Sequence, residues 1–211
     1  MNCHICNKDT DSFCHEKTNI IYYHCKLCEY IFKSSNHYQD LEKQKERYNL
    51  HQNNEESSGY RAYFQRFLDF TLHLIPDVES ALDFGCGRTS LLAKMFEENG
   101  ITCNYYDPIY HPTLLNKNYD LIVSIEVFEH LHNPKKTFER LISMLPMGGY
   151  LAIQTEFHPN NVEDFKRWYY HQDTTHIVFF TKRSFEILAS MYDSLVVRDN
   201  GKNMVLIQKT D

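Results

Sequence analysis

From residue 59 onward the apolar positions follow a helical period. Tyr60, Tyr63, Phe64, Phe67, Leu68, Leu72 and Ile75, with Thr71 among them, share one face, and Pro76 follows. The spacing predicts an amphipathic helix that ends at or before that proline. The pattern then changes to short apolar runs alternating with helical stretches. SALDF (80–84) reads as a buried strand, GCGRTS (85–90) as a tight loop, and LLAKMFEENG (91–100) as a helix closed by Gly100. ITCNYYD (101–107) and YDLIVSI (119–125) read as further strands, and EVFEHLH (126–132) as helical. Asn133-Pro134 opens the next helix, and PMGG (146–149) turns it into the strand YLAIQTE (150–156). After an insert rich in Trp and Tyr come a strand HIVFF (176–180), a helix over 181–191, and two strands, SLVVRD and NMVLIQK, joined around Asn200-Gly201. Strand–helix alternation predicts an α/β fold with a doubly wound, mostly parallel Rossmann-like sheet, and the last two strands predict an antiparallel hairpin at one edge. There are no internal repeats.

The chain before residue 59 is different. Residues 36–58 are polar and predict a charged helix followed by a linker. Residues 1–35 are rich in cysteine and histidine. Cys3-x2-Cys6 and Cys25-x2-Cys28 stand eighteen residues apart, the spacing of a four-cysteine zinc ribbon. Two C-x-x-C knuckles can close a thiolate tetrahedron around one structural Zn2+, and a segment this short needs the metal to fold. Cys14, His4, His15 and His24 are spare candidates, while Cys86 and Cys103 are expected in the core of the sheet domain. The expected organisation is a zinc-ribbon-like module over 1–35, the charged helix and linker over 36–58, and a sheet domain over 59–211. The module and the sheet domain are expected to have separate cores.

Charge narrows the partners. The net charge is −6 at pH 7, and the first fifty residues carry seven basic and seven acidic side chains. A basic face for a phosphate backbone is not apparent, so nucleic acid is not favoured. The absence of a long apolar run argues against a membrane span. The start, MNCHICNK, lacks the apolar core of a signal peptide. The cytoplasm is the expected location, and seven cysteines there suggest metal binding rather than disulfides.

The sharpest local signal is the loop after the first strand of the sheet domain. Gly85 and Gly87 allow backbone to approach a ligand, and the loop feeds a helix N-terminus. Asp107 ends the next strand, placed to accept hydrogen bonds from ribose hydroxyls. A dinucleotide fingerprint would need glycine at position 90, where Ser90 stands. A dehydrogenase is therefore the weaker reading. D-F-G-C-G, Asp107 and the later Y-D-L-I-V-S-I-E-V-F-E-H-L-H-N-P together resemble class I S-adenosylmethionine (SAM)-dependent methyltransferases. The resemblance implies that Asp83, Gly85 and Gly87 meet the methionine part of SAM, that Asp107 holds the ribose, and that Glu126 flanks the cofactor. Cys86 in the loop, Pro108 beside Asp107, and Tyr60 at the mouth belong to the same expected site. The sequence departs from the family at Thr89, where a third glycine is common. Only twelve residues separate Asp107 from Asp120, so the family's third strand and its helix are expected to be missing. Ile109, Tyr110 or His111 would then contact adenine.

Methyl transfer needs alignment and commonly a base. Two segments offer candidates: RYNLHQNNEESSGY, with Tyr48, His51 and Tyr60, and RWYYHQDTTHIVFFT, with Trp168, Tyr169, Tyr170, Asp173 and His176. Both segments, with the N-terminal C-x-x-C, resemble a bacterial methyltransferase subgroup whose acceptors are not defined by the resemblance. His51 and His176 are the expected catalytic pair, with Asp173 orienting His176 or meeting substrate. Tyr48, Trp168 and Tyr169 are the expected pocket wall, and Tyr48, Tyr60, Glu156 and Tyr170 the reserve bases. A buried, hydrogen-bonded core histidine is the competing reading of His176. A noncatalytic interaction protein using the ribbon on a degenerate SAM-binding fold is the alternative function. The methyl acceptor is not identified by the sequence.

Overall fold

A computed structural model describes residues 1–39, 58–75, 77–113 and 116–211. Three short strands open the chain: β1 (Asp11–His15), β2 (Ile20–His24) and β3 (Ile31–Lys33). After α1 (Ser58–Leu72) the expected alternation follows as β4 (Ser80–Phe84), α2 (Leu91–Glu98), β5 (Thr102–Tyr106) and β6 (Leu121–Ile125). It continues through α3 (Pro134–Ser143), β7 (Tyr150–Gln154), α4 (Val162–Arg167), β8 (Val178–Phe179), α5 (Lys182–Ser190), β9 (Ser194–Asp199) and β10 (Met204–Lys209).

The main sheet has six strands in the order β5-β4-β6-β7-β10-β9. Its first four strands are parallel, and β10 joins β7 and β9 antiparallel. The inner parallel strands β4, β6 and β7 are buried on both faces, as their continuous apolar runs require, while the edge strand β5 is partly exposed. Ala81, Leu121 and Val123 face a layer built by Phe64, Phe67 and Leu68 of α1 and Leu92, Met95 and Phe96 of α2. Leu82, Ile122, Leu151 and Ile153 face the opposite layer, with Phe138 and Leu141 of α3 and Phe185 and Leu188 of α5. Helix α3 starts where Asn133 accepts a hydrogen bond from the Lys136 N–H (3.1 Å), with Pro134 at its first position. The segment after Asp107 holds no strand among its described residues, so β5 lies at the sheet edge. In place of the EVFEHLH helix there is only a 3-10 turn over Phe128–His130.

The N-terminal strands are not an independent unit. β3 pairs antiparallel with β8, giving a second sheet in the order β1-β2-β3-β8. HIVFF therefore yields a two-residue strand joined to the N-terminal module rather than a strand of the main sheet. Cys3, Ile5, Cys25, Cys28, Tyr30 and Phe32 belong to the same buried cluster as the α3 and α5 side of the main sheet. The expectation of separate cores is thus corrected: an apolar module this small completes its burial against the larger domain. Polar contacts fix the seam. Ser184 Oγ donates to the Cys28 carbonyl (2.8 Å), Thr181 Oγ1 donates to Glu29 Oε2 (2.8 Å), and His158 Nε2 donates to the Glu29 carbonyl (2.6 Å).

Candidate active site and cysteine centre

The carboxyl ends of β4, β5, β6 and β7 form the crevice where ligands of open α/β sheets bind. Gly85 and Gly87 both have positive φ, at 86° and 67°. They differ in what surrounds them. A Cβ on Gly85 would lie 2.2 Å from Val127 Cγ2, whereas one on Gly87 would meet nothing within 4 Å. Gly85 serves close packing, and Gly87 borders open space. The Gly85 and Cys86 N–H groups both donate to the Tyr106 carbonyl, at 2.7 and 3.1 Å. Cys86 Sγ turns back to the Gly87 carbonyl (3.4 Å), and burial pushes its thiol pKa up, away from nucleophilic thiolate chemistry.

Asp107 organises the loops on both sides. Its Oδ2 accepts from the Gly87 N–H (3.2 Å), and its Oδ1 accepts from the Ile109 and Tyr110 N–H groups (2.8 and 3.0 Å). A carboxylate offers about four acceptor positions, so one remains for a hydroxyl. Pro108 is exposed beside it. Asp83 is buried at the end of β4, and burial, reinforced by Asp107, pushes its pKa up to about 7. Tyr60, in the first turns of α1, is half-buried; burial and then Asp83 push its phenol up to about 12, and its hydroxyl bonds Thr89. A recess of about 430 Å3 lies along the β5 edge, lined in part by Asn104, Tyr105, Tyr110 and His111. It includes two of the three adenine candidates.

A polar network continues across the crevice. Glu126, at φ 53°, follows β6 directly. Its Oε1 accepts from Tyr63 Oη (3.2 Å) and its Oε2 from Tyr170 Oη (2.8 Å). Tyr170 Oη also bonds Glu129 Oε1, and Gln154 Nε2 bonds Tyr63 Oη. Glu129 is fully buried, and burial raises the pKa of both glutamates. Four elements meet here: α1, the turn after β6, β7, and the aromatic insert.

Several expected site residues are placed differently from their expected roles. His51 and Tyr48 lie outside the described residues. His176 is buried, with Nδ1 bound to the Tyr170 carbonyl (2.7 Å). Burial, and then the facing His130, push its pKa down to about 3, which makes it a poor proton acceptor near neutrality. The carbonyl of Tyr170, rather than Asp173, orients the ring. Asp173 Oδ1 instead accepts from the Thr175 N–H and hydroxyl (2.9 and 2.7 Å). Trp168 packs on Phe165, Tyr170 and Phe179, in a cluster shared with the N-terminal sheet. Tyr169 is exposed at 62%, with burial and Glu156 raising its phenol pKa. Sequence alone does not single out Glu129, His130, Tyr63 or Gln154. The signal for the first two is the E-x-x-E-H spacing itself; Tyr63 and Gln154 read as ordinary core-facing positions.

At the N-terminus, Cys3 Sγ lies 3.4 Å from Cys28 Sγ, and Cys6 Sγ lies 3.4 Å from Cys25 Sγ and 3.7 Å from Cys28 Sγ. Zinc–thiolate bonds of about 2.3 Å in a tetrahedron put sulfurs about 3.8 Å apart. The residues after each pair, Asn7 and Glu29, have φ of 58° and 57°, which curls each C-x-x-C into a knuckle. The Ile5 N–H donates to Cys3 Sγ (3.4 Å). The donor set and spacing fit a metal ion held by four thiolates.

Among the described residues, no helix is long and apolar enough to cross a membrane. Solved structures of low identity share the fold. A chain from the complex between the Haloferax volcanii Trm112 methyltransferase activator and its methyltransferase aligns with TM-score 0.55 at 13% identity, over 72% of this chain and 93% of that one. The O-methyltransferase of a Brevibacillus brevis trans-AT PKS multienzyme, in complex with S-adenosyl-L-homocysteine (SAH), aligns with TM-score 0.53 at 13% identity, over 72% of its length and 70% of this chain. The mitomycin 7-O-methyltransferase MmcR aligns with TM-score 0.51 at 13% identity over 74% of this chain, which spans only 59% of that relative. No curated protein matches the sequence. The methyltransferase-domain family profile matches residues 55–193, from before α1 through α5, and the chain therefore belongs to the methyltransferase-domain family.

Proposed function

We propose that the chain transfers a methyl group from SAM to an acceptor not yet identified, and that Cys3, Cys6, Cys25 and Cys28 hold one structural Zn2+. The observation that carries the first part is the Asp107 carboxylate tying Gly87, Ile109 and Tyr110 together beside the open space over Gly87. A cofactor with a ribose, a sulfonium and an ammonium group suits that setting. The remaining acceptor position on Asp107 takes a ribose hydroxyl, and Gly87 admits the chain of the methionine part. Asp83, buried and beside Asp107, gains from a nearby positive charge. The Brevibacillus relative binding SAH in the same fold supports the cofactor.

SAM supplies an electrophilic methyl group on sulfur. This chain's residues supply position and exclusion of water. Tyr60 and Tyr63 bring α1 over the crevice, and Glu126 is fixed between Tyr63 and Tyr170. The reduced acidity of Glu126 gives it a basicity suited to accepting a proton from an O–H or N–H acceptor, a role for which His176 is unsuited. The noncatalytic reading is not favoured, because the buried Asp83, Asp107 and Glu129 and the half-buried Glu126 gather around the crevice at an energetic cost that a mere scaffold need not carry. A four-thiolate site belongs in a reducing compartment, and the cytoplasm is the proposed location.

Calorimetric titration of the full chain with SAH tests the cofactor. One site per chain is expected, and Asp107→Ala is expected to weaken binding by about 1.5–3 kcal/mol, the usual cost of losing a charged hydrogen-bond acceptor. A folded wild-type chain that binds neither SAH nor SAM overturns the reading.

A further inference from the structure

We propose that Glu129, His130 and His176 form a second metal site, for one divalent cation that accepts imidazole and carboxylate ligands, set beside the crevice and separate from the four cysteines. One ligand atom from each residue lies within 4.8 Å of the others. His130 Nε2 is 4.0 Å from Glu129 Oε1, and the two imidazole rings meet edge to face with centroids 4.8 Å apart. Bonds of about 2.1 Å place ligand atoms about 3–4 Å from one another. Side-chain shifts of about an ångström or less would close the site.

Three further observations point to a cation. His130 Nδ1 bonds the Thr175 carbonyl (3.0 Å), and His176 Nδ1 bonds the Tyr170 carbonyl (2.7 Å). Carbonyls only accept, so both rings carry their proton on Nδ1 and keep the lone pair on Nε2. Backbone carbonyls commonly fix metal-binding histidines in this way. Second, the other oxygen of the fully buried Glu129, Oε2, has no hydrogen-bond partner among the described residues. A buried carboxylate oxygen without a donor is costly and asks for a cation. Third, the single Tyr170 hydroxyl proton faces both Glu126 and Glu129 and can serve only one of them at a time. A divalent ion would compensate the charge left over.

The backbone holds this site rigidly. The Lys33 N–H donates to the Ile177 carbonyl (2.8 Å), and the Ile177 N–H donates to the Glu129 carbonyl (2.9 Å). The residue after His176 therefore ties both the N-terminal sheet and the turn that carries Glu129 and His130. Two nitrogens and one carboxylate leave positions open on a transition-metal ion. If the methyl-transfer reading holds, on which this corollary rests, those positions would take oxygen atoms of a chelating acceptor.

Mn2+ is the probe, titrated into the full chain carrying no more than the one equivalent of zinc that its four thiolates take, with free Mn2+ followed by electron paramagnetic resonance. One bound Mn2+ per chain is expected, weakened at least tenfold in Glu129→Gln and in His130→Ala. Absence of Mn2+ binding to the folded wild-type chain overturns the proposal, and so does unchanged affinity in the folded Glu129→Gln variant. Glu129→Gln keeps the side-chain shape and carries the test if His130→Ala fails to fold. SAH titrated into the same wild-type sample separates the two readings: SAH binding without Mn2+ binding sinks the metal site alone, and Mn2+ binding without SAH binding sinks the cofactor alone.

Discussion

Two glycines two positions apart do different work. At Gly85 an added methyl would collide with Val127, so Gly85→Ala is expected to lower Tm clearly and to impair cofactor binding only through the damaged fold. At Gly87 the added methyl meets only open space, and the cost is the left-handed backbone, about 1 kcal/mol. Gly87→Ala is thus expected to fold nearly as well as wild type yet bind SAH at least tenfold more weakly. Thermal melts beside calorimetry check the pair, and the reverse ranking would place the ligand elsewhere. Asp83 gives a pH signature. Its pKa rises from 3.8 unfolded to about 7 folded. The folded state then holds a proton that the unfolded state releases, so the benefit is full below about pH 4 and is lost as pH rises to 7. Asp83→Asn removes that dependence. The Tm of the unliganded variant is expected to gain on wild type between pH 4 and 7, and parallel Tm–pH curves would show that Asp83 ionises normally.

The element that changes the picture most is the two-residue β8. It carries no ladder to the main sheet, yet it joins β3 and so anchors the cysteine knuckles beside α5. Removing zinc is expected to lower the Tm of the whole chain in one transition rather than release a separate module. Cys25→Ser, followed by elemental analysis and calorimetry, checks this; a main-domain transition unchanged in the zinc-free variant would restore independent cores. The strands of the main sheet, the loop at 85–87 and the cysteine pairs were legible because each has a local cause: period, glycine, spacing. The β3–β8 pairing was not, since HIVFF reads the same whether its partner is β7 or a strand near the N-terminus. His176 is visible as a candidate with two readings, but its burial and the carbonyl that fixes its tautomer, which weigh between them, depend on the fold of the insert.

At the scale of the whole molecule, the crevice draws its walls from segments far apart in the chain, α1 with Tyr63 and the aromatic insert with Tyr170. The parallel order and the early end at β5 follow from the strand–helix rhythm and the short segment between Asp107 and Asp120, both readable in sequence. That the N-terminal sheet buttresses the Glu129 turn is a property of packing alone. The Ser184–Cys28 hydrogen bond spans 156 residues, and the β3–β8 register spans a comparable distance. Loop closure of that length is slow, and contacts of this kind set folding rates. During synthesis β3 therefore waits for a partner far downstream in the chain, and until Val178 and Phe179 emerge it presents an unfilled edge to any passing chain. Early capture of metal by the two knuckles would stiffen the nascent segment without closing that edge. Synthesis of this chain is accordingly expected to be most prone to aggregation late, just before β8 appears, and a pause at that stage would be more damaging than one after residue 180.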